Sequence, residues 1–460
     1  MPVYVNRTLN LKKIKAIGFD LDYTLARYQT KKFEALVYQL TVEQLIQQAQ
    51  FSEKIRDLKF DFDLVTQGLV IDLKEGNLLK LSCFSKVKTA YHGTQPIDFK
   101  TQQAMYESKA IDLQNSHFKS LDTSFSVSYG MLYAQLVDLI DQGVISCSYA
   151  KLAADLTRCV NFVHSQGDLK KIVAQNLAEY IIPDPQTTTL LQRLKSHGKK
   201  LFIATNSDFT YATTLLDFVF ANQWREIFDL IIFRSNKPDF FFKHHPFLAV
   251  DPINGTLQNY DGKLKNGMYQ GGNAAQLEQD FGLHGPEILY LGDHIFGDIL
   301  TLKRHLAWRT GLIVEDLAAE TLALEQNKNI QQQIGQDMQL KATLETQLNA
   351  LYDEHIEQHR PLQRQQVDQL FARIDQLDHR LQQNITHYQA AFNQRWGELM
   401  KAGNEASLFA GQVEKYACIY MPYLHNLGEY SPRTYFRPPK HLQPHDPRPE
   451  FQPAANMESE

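Results

Sequence analysis

The chain has 460 residues and a formal net charge of −5. An acidic balance argues against a nucleic-acid-binding protein, which needs a basic face, and the length exceeds a single core, so two or more structural units are expected. The sequence contains no run of about eighteen apolar residues and no apolar signal-peptide core, which predicts a cytoplasmic protein without a membrane span. The four cysteines are scattered without a Cys-x-x-Cys pair, so free thiols are expected rather than disulfides or a zinc site.

Residues 1–40 contain an aspartate pair at the end of a predicted strand. The apolar run from Ile14 to Phe19 predicts a buried strand, and Asp20 and Asp22 follow it directly. Open α/β sheets bind ligands at the carboxyl ends of their strands, so both carboxylates are expected at such an edge. There Asp20 can attack a phosphate ester while Asp22 transfers protons, although an isolated Asp-x-Asp pair is more often a turn or a helix cap. We assign this segment to the first part of a core.

A long insertion separates this segment from the rest of the core. Far more residues lie between Asp22 and Thr205 than a βαβ crossover requires, so residues 41–186 are predicted to form a cap. The cap should begin with a helix around Thr41 to Gln50, contain a β-hairpin from Val70 to Leu81 and continue with further helices. A mainly helical cap of this kind would exclude water from the site and select the leaving group.

Residues 187–315 are predicted to complete the core. The apolar run from Leu201 to Ala204 predicts a second strand, and Thr205 and Asn206 follow it. A hydroxyl, an amide and neighbouring backbone N–H groups at that strand end can bind phosphate oxygens. Lys237 would add the compensating positive charge as a compact ammonium. A lysine taken alone is more often a surface residue, so its interpretation depends on the combination of segments.

A third strand end carries the candidate metal ligands. The apolar run from Ile288 to Leu291 precedes Asp293, and Asp298 lies close enough in sequence to approach the same ion. A carboxylate attacks a charged phosphate poorly unless a cation screens both groups, and Mg²⁺ bound through carboxylate oxygens is the usual solution. We expect Mg²⁺ to be held by Asp20, Asp293 and a backbone carbonyl near Asp22.

Residues 316–400 are rich in Gln, Leu and charge and poor in Gly and Pro, which predicts helix. Two apolar stripes, with Pro361 near the turn between them, predict a helical hairpin that either is self-contained or forms a subunit contact. Residues 401–460 are expected to wrap around the core, with residues 433–460 bound to the surface or disordered. The stripes consist of Ile330, Ile334, Leu344, Leu348 and Leu351 in the first helix and Val367, Leu370, Ile374, Leu377, Leu381 and Tyr388 in the second.

Taken together, these segments resemble the haloacid dehalogenase superfamily of phosphohydrolases. The resemblance implies an α/β fold with a doubly wound, Rossmann-like parallel-sheet core, into which the cap is inserted and to which the helical hairpin is attached. Superfamily members that act on carbon–halogen bonds lack the second aspartate, so the presence of Asp22 favours phosphatase chemistry. The resemblance implies Asp20 as nucleophile, Asp22 as general acid and base, Thr205, Asn206 and Lys237 at the phosphate, and Asp293 and Asp298 at the metal.

The flanking residues are more specific and are similar to those of the cytosolic purine 5'-nucleotidases that prefer IMP and GMP. The likeness runs from Val5-Asn6-Arg7 through Gly68-Leu69-Val70 and Gly292-Asp293-His294-Ile295-Phe296-Gly297-Asp298 to Tyr430-Ser431-Pro432. It implies Mg²⁺-dependent hydrolysis of purine nucleoside 5'-monophosphates through a phospho-aspartate, with phosphate transfer to a second nucleoside as a side reaction. It also implies a homo-oligomer, a tetramer or dimer, that responds to a nucleotide effector.

The same resemblance assigns residues of the cap to the purine base and the ribose. His164 and Lys170 match the family histidine and lysine that hold the purine, and Phe125 matches the aromatic residue that stacks on it. Asn161 stands where a family member has an acidic residue, and Arg158 aligns only with a gap, so the choice between hypoxanthine and guanine stays open. Without the resemblance, Phe125 and His164 are more simply explained as core packing.

Two alternative functions are compatible with the same motifs. A phosphatase acting on another ester, such as a sugar phosphate, would keep the core segments and differ only in the cap. A non-catalytic nucleotide sensor would use the long helices as a scaffold for a partner. The sequence predicts a 5'-nucleotidase ahead of both, because the flanking likeness covers most of the chain.

Overall fold

A computed structural model describes residues 2–221, 223–440 and 446. The strands form one ten-stranded sheet, one five-stranded sheet and three two-stranded pairs. In chain order they are β1 (Tyr4–Val5), β2 (Leu9–Asn10), β3 (Ala16–Phe19), β4 (Arg27–Tyr28), β5 (Leu69–Asp72), β6 (Asn77–Leu81), β7 (Val87–His92), β8 (Gln95–Pro96), β9 (Phe118–Leu121), β10 (Ile181–Ile182), β11 (Lys200–Ala204), β12 (Leu230–Phe233), β13 (Phe247–Val250), β14 (Leu257–Asn259), β15 (Gly267–Gly271), β16 (Ile288–Gly292), β17 (Arg309–Ile313), β18 (Lys401–Ala402), β19 (Glu405–Ala406), β20 (Ile419–Met421) and β21 (Tyr435–Phe436).

The helices lie on both sides of the large sheet, in the cap and in the long hairpin. In chain order they are α1 (Thr30–Ala49), α2 (Phe99–Tyr106), α3 (Val127–Asp141), α4 (Tyr149–Ser165), α5 (Leu169–Gln175), α6 (Leu177–Tyr180), α7 (Pro185–Ser196), α8 (Phe209–Phe220), α9 (Trp224–Ile227), α10 (Ala274–Phe281), α11 (Thr301–His305), α12 (Leu317–Gln326), α13 (Lys328–Glu357), α14 (Arg364–Gln389) and α15 (Leu408–Tyr416). A π-helical turn covers Ile295–Leu300, and 3-10 turns cover Leu11–Lys13, Glu53–Asp57, Phe62–Leu64, Ser124–Ser126, Asp239–Phe241, Gly285–Glu287 and Leu424–Glu429.

The ten-stranded sheet has the order β1-β20-β17-β16-β3-β11-β12-β15-β13-β14. The seven strands from β20 to β15 run parallel to one another, and β3 lies near the middle between β16 and β11. Every residue of β3 and β16 is buried, as expected for parallel strands that are covered by helices on both faces. The predicted α/β fold with a doubly wound parallel core is therefore confirmed.

The edges of this sheet contain features that the sequence did not predict. Strands β1, β13 and β14 pair antiparallel with their neighbours. Residues 401–460, which we expected to wrap around the core, also contribute β20 to it, parallel to β17. A strand of three residues is too short to show an apolar alternation, so the sequence contains no usable signal for it. Within the predicted tail, β21 pairs with β2, and residues 441–445 and 447–460 lie outside the described residues.

The inserted segment combines helices with an antiparallel sheet in the order β8-β7-β6-β5-β9. The predicted hairpin corresponds to β5 and β6, and the other three strands were not predicted. The first helix begins at Thr30 rather than near Thr41, so the boundary we placed between residues 40 and 41 falls inside α1. Gln29 precedes this helix without a capping side-chain hydrogen bond, and a start without a capping residue leaves no sequence signal.

The helices α13 and α14 form an antiparallel hairpin, and Pro361 lies in the turn between them. Arg380 donates two hydrogen bonds to Asp337, and Lys341 donates one to Asp378, so two ion pairs also link the two helices. No helix in the described part of the chain combines the length and apolar character needed to cross a membrane. The buried residues along the seam are Leu344, Leu348, Val367, Leu377 and Leu381.

Candidate active site

Three strand ends meet at the middle of the large sheet. Phe19 of β3 is in register with Ile203 of β11 on one side and with Leu291 of β16 on the other. Because these parallel strands end at the same edge, the polar residues that follow them emerge close to one another. Those residues are Asp20, Thr205 and Asp293.

Lys237 is the cation at the centre of the site. Its Nζ lies 2.8 Å from Oδ1 of Asp20 and 2.7 Å from Oδ1 of Asp298, and it donates a hydrogen bond to the Tyr290 hydroxyl at 3.0 Å. Burial disfavours the charged ammonium, but the carboxylates of Asp20 and Asp298 hold the pKa of Lys237 well above its usual range. The lysine is therefore a fixed positive charge beside Asp20.

The carboxylates of Asp20, Asp293 and Asp298 form one acidic cluster, in which the nearest oxygen atoms all lie within 4.8 Å of one another. Burial, together with the charges of its two neighbours, raises the pKa of Asp293 well above its ordinary value. Burial raises the pKa of Asp20 to about 6 even though Lys237 opposes the shift. One lysine thus faces the buried carboxylates of Asp293 and Asp298 and the partly buried one of Asp20. An all-oxygen donor set with excess negative charge suits a hard divalent cation.

Asp22 lies beside this cluster but belongs to a different set of contacts. Its Oδ1 accepts a hydrogen bond from the Tyr28 hydroxyl at 2.6 Å, and its Oδ2 accepts one from the Ser207 hydroxyl at 2.9 Å. Burial, reinforced by the charge of Asp20, raises the pKa of Asp22, while the two donors oppose that shift. The side chain is therefore held in one orientation, as a proton-transferring group requires. A metal contact from the backbone near Asp22 stays a prediction.

Thr205 and Asn206 connect the second strand end to the loop that carries the lysine. Asn206 accepts a hydrogen bond from the backbone N–H of Lys237 at 2.6 Å and donates one to the backbone carbonyl of the same residue at 3.0 Å. Thr205 is buried, and its hydroxyl oxygen accepts a hydrogen bond from the backbone N–H of Ser207 at 3.0 Å. Asn206 therefore positions Lys237.

Of the residues predicted to contact the base, Phe125 and His164 lie together next to Tyr23, which follows Asp22 in the chain. The ring of Phe125 lies 4.6 Å from that of Tyr23 and 5.6 Å from that of His164, both in edge-to-face geometry. Burial lowers the pKa of His164 to about 4, with a smaller effect from Lys170. At neutral pH the imidazole is therefore uncharged and offers one hydrogen-bond donor and one acceptor.

The other three predicted base contacts are more dispersed. Lys170 forms an ion pair of 2.7 Å with Asp208, which links α5 to the start of α8. Arg158 is exposed and pairs with Asp155 at 3.0 Å, and Asn161 is exposed one turn later on α4. The structure thus places Phe125 and His164 in contact with each other, whereas Arg158 and Asn161 lie on the solvent-exposed part of the same helix as His164.

Three tyrosines of the site were not predicted from the sequence. Tyr28 contacts Asp22, Tyr211 lies 3.0 Å from Tyr28 between their hydroxyl oxygens, and Tyr290 contacts Lys237. Each belongs to an element that the sequence indicates only as buried structure, and none of them stands at a motif spacing. Only the side-chain geometry shows that the hydroxyl groups of Tyr28 and Tyr290 contact charged residues and that the hydroxyl of Tyr211 contacts Tyr28.

The profile of the 5' nucleotidase family matches residues 3–448 of this sequence. The chain belongs to the 5' nucleotidase family. As a 5' nucleotidase family member with this arrangement of aspartates and lysine, the protein is a phosphoric monoester hydrolase. The family predicted from the motifs is thereby confirmed.

The names of two similar proteins state only that they contain a 5'-nucleotidase domain. The chain is 26% identical over 460 aligned residues to a 5'-nucleotidase domain-containing protein of Dictyostelium discoideum, covering 96% of this chain and 74% of that protein. It is 29% identical over 331 residues to 5'-nucleotidase domain-containing protein 2 of Homo sapiens, covering 69% of this chain and 64% of that protein. The chain thus spans less than two thirds of the human relative.

Solved structures overlap with parts of the chain. A predicted phosphoglycolate phosphatase from Haemophilus somnus aligns with a TM-score of 0.28 and 13% identity, over 66% of this chain and 86% of that one. A HAD phosphatase from Thermococcus onnurineus aligns with a TM-score of 0.26 and 13% identity, over 66% of this chain and 87% of that one.

Proposed function

We propose that this protein hydrolyses purine nucleoside 5'-monophosphates, with IMP and GMP as the principal substrates, to the nucleoside and inorganic phosphate. The observation that carries the proposal is the position of Asp20, which lies 2.8 Å from a buried lysine in a cluster of three carboxylates, next to the independently oriented Asp22. A nucleophile, a proton donor and a place for a cation are thus adjacent, which is the set that in-line phosphate transfer requires.

The chain's own residues account for both chemical steps. In the first, a carboxylate oxygen of Asp20 forms a bond to phosphorus, the bond from phosphorus to the 5'-oxygen breaks, and Asp22 gives its proton to that leaving oxygen. In the second, Asp22 removes a proton from water, the water oxygen bonds to phosphorus, and the phospho-aspartate returns to a carboxylate and inorganic phosphate. Lys237, already charged, stabilises the phosphate oxygens throughout.

The acidic cluster supports a dependence on Mg²⁺. Asp20, Asp293 and Asp298 supply the oxygen donors, and we propose Asp20 and Asp293 as the direct ligands. The bound ion would screen the negative charges of the nucleophile and the phosphate from each other. The excess of three carboxylates over one lysine in a buried space favours this assignment.

Two residues of the cap favour a substrate whose leaving group is a purine nucleoside. Phe125 is the aromatic residue proposed to stack on the base, and stacking accepts either purine, so hydrogen bonds must distinguish the bases. The neutral imidazole of His164, 5.6 Å from the ring of Phe125, can supply one of them. We keep Lys170, Arg158 and Asn161 as proposed contacts to the base and ribose, since Lys170 and Asn161 lie on either side of His164 along the chain.

Some further properties belong to the same proposal. Any hydroxyl that reaches the phospho-aspartate competes with water, so transfer of phosphate to a second nucleoside is expected. The four cysteines are free thiols, which suits a reducing compartment such as the cytoplasm. Exposed apolar side chains on the hairpin, among them Met338 and Phe371, support a homo-oligomer.

A substrate panel tests the proposal. Phosphate release is measured from IMP, GMP, AMP, UMP and ribose 5-phosphate, with Mg²⁺ and with a chelator, and again with ATP or GTP present to test for a nucleotide effector. We expect IMP and GMP to have the highest kcat/KM and the chelator to remove activity on all substrates. Equal kcat/KM for ribose 5-phosphate and IMP would replace the nucleotidase assignment by a general sugar phosphatase.

An Asp20→Asn variant separates an enzyme from a nucleotide sensor. Replacing a covalent nucleophile typically lowers kcat by about 10⁴-fold or more, so phosphate release should fall to background. The matched control is Asp261→Asn, which changes an exposed aspartate outside the site and should leave phosphate release unchanged. Activity that persists in the Asp20 variant would show that Asp20 is not the nucleophile.

A further inference from the structure

Both oxygens of the Asp22 carboxylate are occupied by hydroxyl donors, and one of these donors is itself held by a third group. The Tyr28 hydroxyl donates to Oδ1 at 2.6 Å, and the Ser207 hydroxyl donates to Oδ2 at 2.9 Å. The Tyr211 hydroxyl lies 3.0 Å from that of Tyr28. A phenol has one proton, so while Asp22 is a carboxylate and receives the proton of Tyr28, Tyr28 can only accept from Tyr211. In that state the three groups form one chain of hydrogen bonds from Tyr211 to Asp22.

Tyr28 lies on one of the two chain segments that connect the core to the cap. It belongs to β4, which pairs antiparallel with β10, so that Tyr28 is opposite Ile181. The backbone N–H of Gln29 also donates to the carbonyl of Tyr180 at 2.7 Å. The Tyr28 side chain is 1% exposed and its ring lies 4.7 Å from that of Phe33 on α1. The hydroxyl is therefore placed by the connecting strands together with Tyr23, whose ring follows Asp22 in the chain and lies 4.8 Å from that of Tyr28.

Tyr211 is attached to the cap by a second route. It lies in the first turn of α8, where its backbone N–H donates to the Asp208 carboxylate at 3.0 Å. The other oxygen of Asp208 pairs with Lys170 of α5 at 2.7 Å. The ammonium of Lys170 lies 5.3 Å from the centre of the Tyr211 ring. Contacts from the inserted segment thus reach Asp22 through two tyrosines.

We propose that Tyr28 is a positioning residue for the proton transfer by Asp22, and that Tyr211 orients Tyr28 for this role. The proposal deepens the proposed function and depends on it, because it assumes that Asp22 protonates the leaving oxygen. With Tyr28 and Ser207 each bound to one oxygen, the plane of the carboxyl group is set. The proton that Asp22 transfers must then use one of the remaining lone-pair positions of these two oxygens.

Leaving-group chemistry distinguishes this role from a purely structural one. The 5'-oxygen of a nucleotide leaves as an alkoxide and needs a proton from Asp22, whereas p-nitrophenolate is stable enough to leave without one. The parameter kcat/KM reports the steps up to formation of the phospho-aspartate, so it isolates the step in which the leaving group departs. Loss of positioning at Asp22 should therefore lower kcat/KM for alkyl phosphates and leave that for p-nitrophenyl phosphate nearly unchanged.

The experiment compares Tyr28→Phe, Tyr211→Phe and wild type with IMP, ribose 5-phosphate and p-nitrophenyl phosphate in saturating Mg²⁺. For Tyr28→Phe we expect kcat/KM to fall about 10- to 100-fold for the alkyl phosphates and less than about 3-fold for p-nitrophenyl phosphate. Tyr211→Phe keeps the hydrogen bond to Asp22 and should show a smaller loss with the same selectivity. Asp22→Asn sets the limit of the effect, with the largest loss on the alkyl phosphates.

Tyr38→Phe is the matched control, because Tyr38 is a buried tyrosine of α1 whose hydroxyl donates to Gln135 at 2.6 Å, remote from Asp22 in the hydrogen-bond network. It should leave all three values of kcat/KM unchanged. Equal losses on alkyl and aryl substrates in Tyr28→Phe, or no loss on either, would overturn the positioning role. If Tyr28→Phe does not fold, the selectivity of Tyr211→Phe decides by the same criterion. If wild type hydrolyses only the aryl ester, the proposed function fails as well, and that result is seen before any variant is made.

Discussion

The buried ammonium nitrogen of Lys237 lies 2.8 Å from Oδ1 of Asp20. The same nitrogen lies 2.7 Å from Asp298, so one cation holds the proposed nucleophile Asp20 and a second carboxylate at once. A lysine that is 9% exposed and paired with two acids serves both the chemistry and the stability of the sheet edge. Substitutions at these positions should therefore alter both properties in a predictable way.

Replacing Lys237 should destabilise the metal-free protein. In Lys237→Met the acidic cluster loses its only close cation among the described residues, and breaking a buried ion pair in this way typically costs about 3–5 kcal/mol. Urea unfolding at pH 7 with a chelator measures the change. In Lys237→Met/Asp298→Asn one buried charge is removed as well, so part of the loss should be recovered. A double variant whose loss equals the sum of the two single losses would contradict the shared-cation interpretation.

The stability of the metal-free protein should depend on pH through Asp20. Its pKa is about 6 in the folded protein against an ordinary value of 3.8, with burial as the main cause. The folded state therefore binds more protons between these values, and stability falls as the pH rises from about 4 to about 6. The Asp20→Asn variant lacks this titrating group. As the pH rises from about 4 to about 6, its free energy of unfolding should therefore increase relative to that of wild type, by on the order of 2 kcal/mol. Urea unfolding at several pH values tests this, and parallel curves would contradict it.

Mg²⁺ should stabilise the folded protein through Asp293. A ligand that binds only the folded state raises the unfolding temperature by mass action, by about 3 °C or more when Mg²⁺ greatly exceeds its Kd. The Asp293→Asn variant should lose most of this rise, and Asp261→Asn should keep it. Differential scanning fluorimetry with and without Mg²⁺ gives the measurement. An undiminished rise in the Asp293 variant would place the ion elsewhere.

Phe125 should contribute to nucleotide binding but not to phosphate chemistry. Stacking of a base on an aromatic ring is worth about 1–3 kcal/mol, so Phe125→Ala should raise KM for IMP by roughly 10-fold or more. For p-nitrophenyl phosphate, which has no purine, kcat/KM should change little. Phe60→Ala is the control, since Phe60 is a partly buried aromatic of the cap that contacts Tyr38 rather than Phe125. A similar change in KM for both substrates would indicate a packing role for Phe125.

The core of the site was predictable because each residue follows its own strand. Runs of apolar residues indicate β3, β11 and β16, and the polar residues that follow each run can be identified from the sequence. Parallel strands place such ends at one edge, so the convergence of Asp20, Thr205 and Asp293 follows from the fold class. The start of α1 and the strand β20 were not predicted, because one lacks a capping residue and the other has only three residues.

The sequence by itself determined the fold class and, through the resemblance of its motifs, the family, because apolar runs and motifs can be read along the chain. The roles of its aspartates, threonine and lysine stay predictions. Only the tertiary structure decided that Asp22 is held by Tyr28 and Ser207 and that Tyr28 is in turn bound to Tyr211. The physical reason is that a hydrogen bond depends on side-chain direction and on distances of a few tenths of an ångström. Tyr28 and Tyr211 approach each other only because α8 and the strand pair of β4 and β10 pack on the same side of the core.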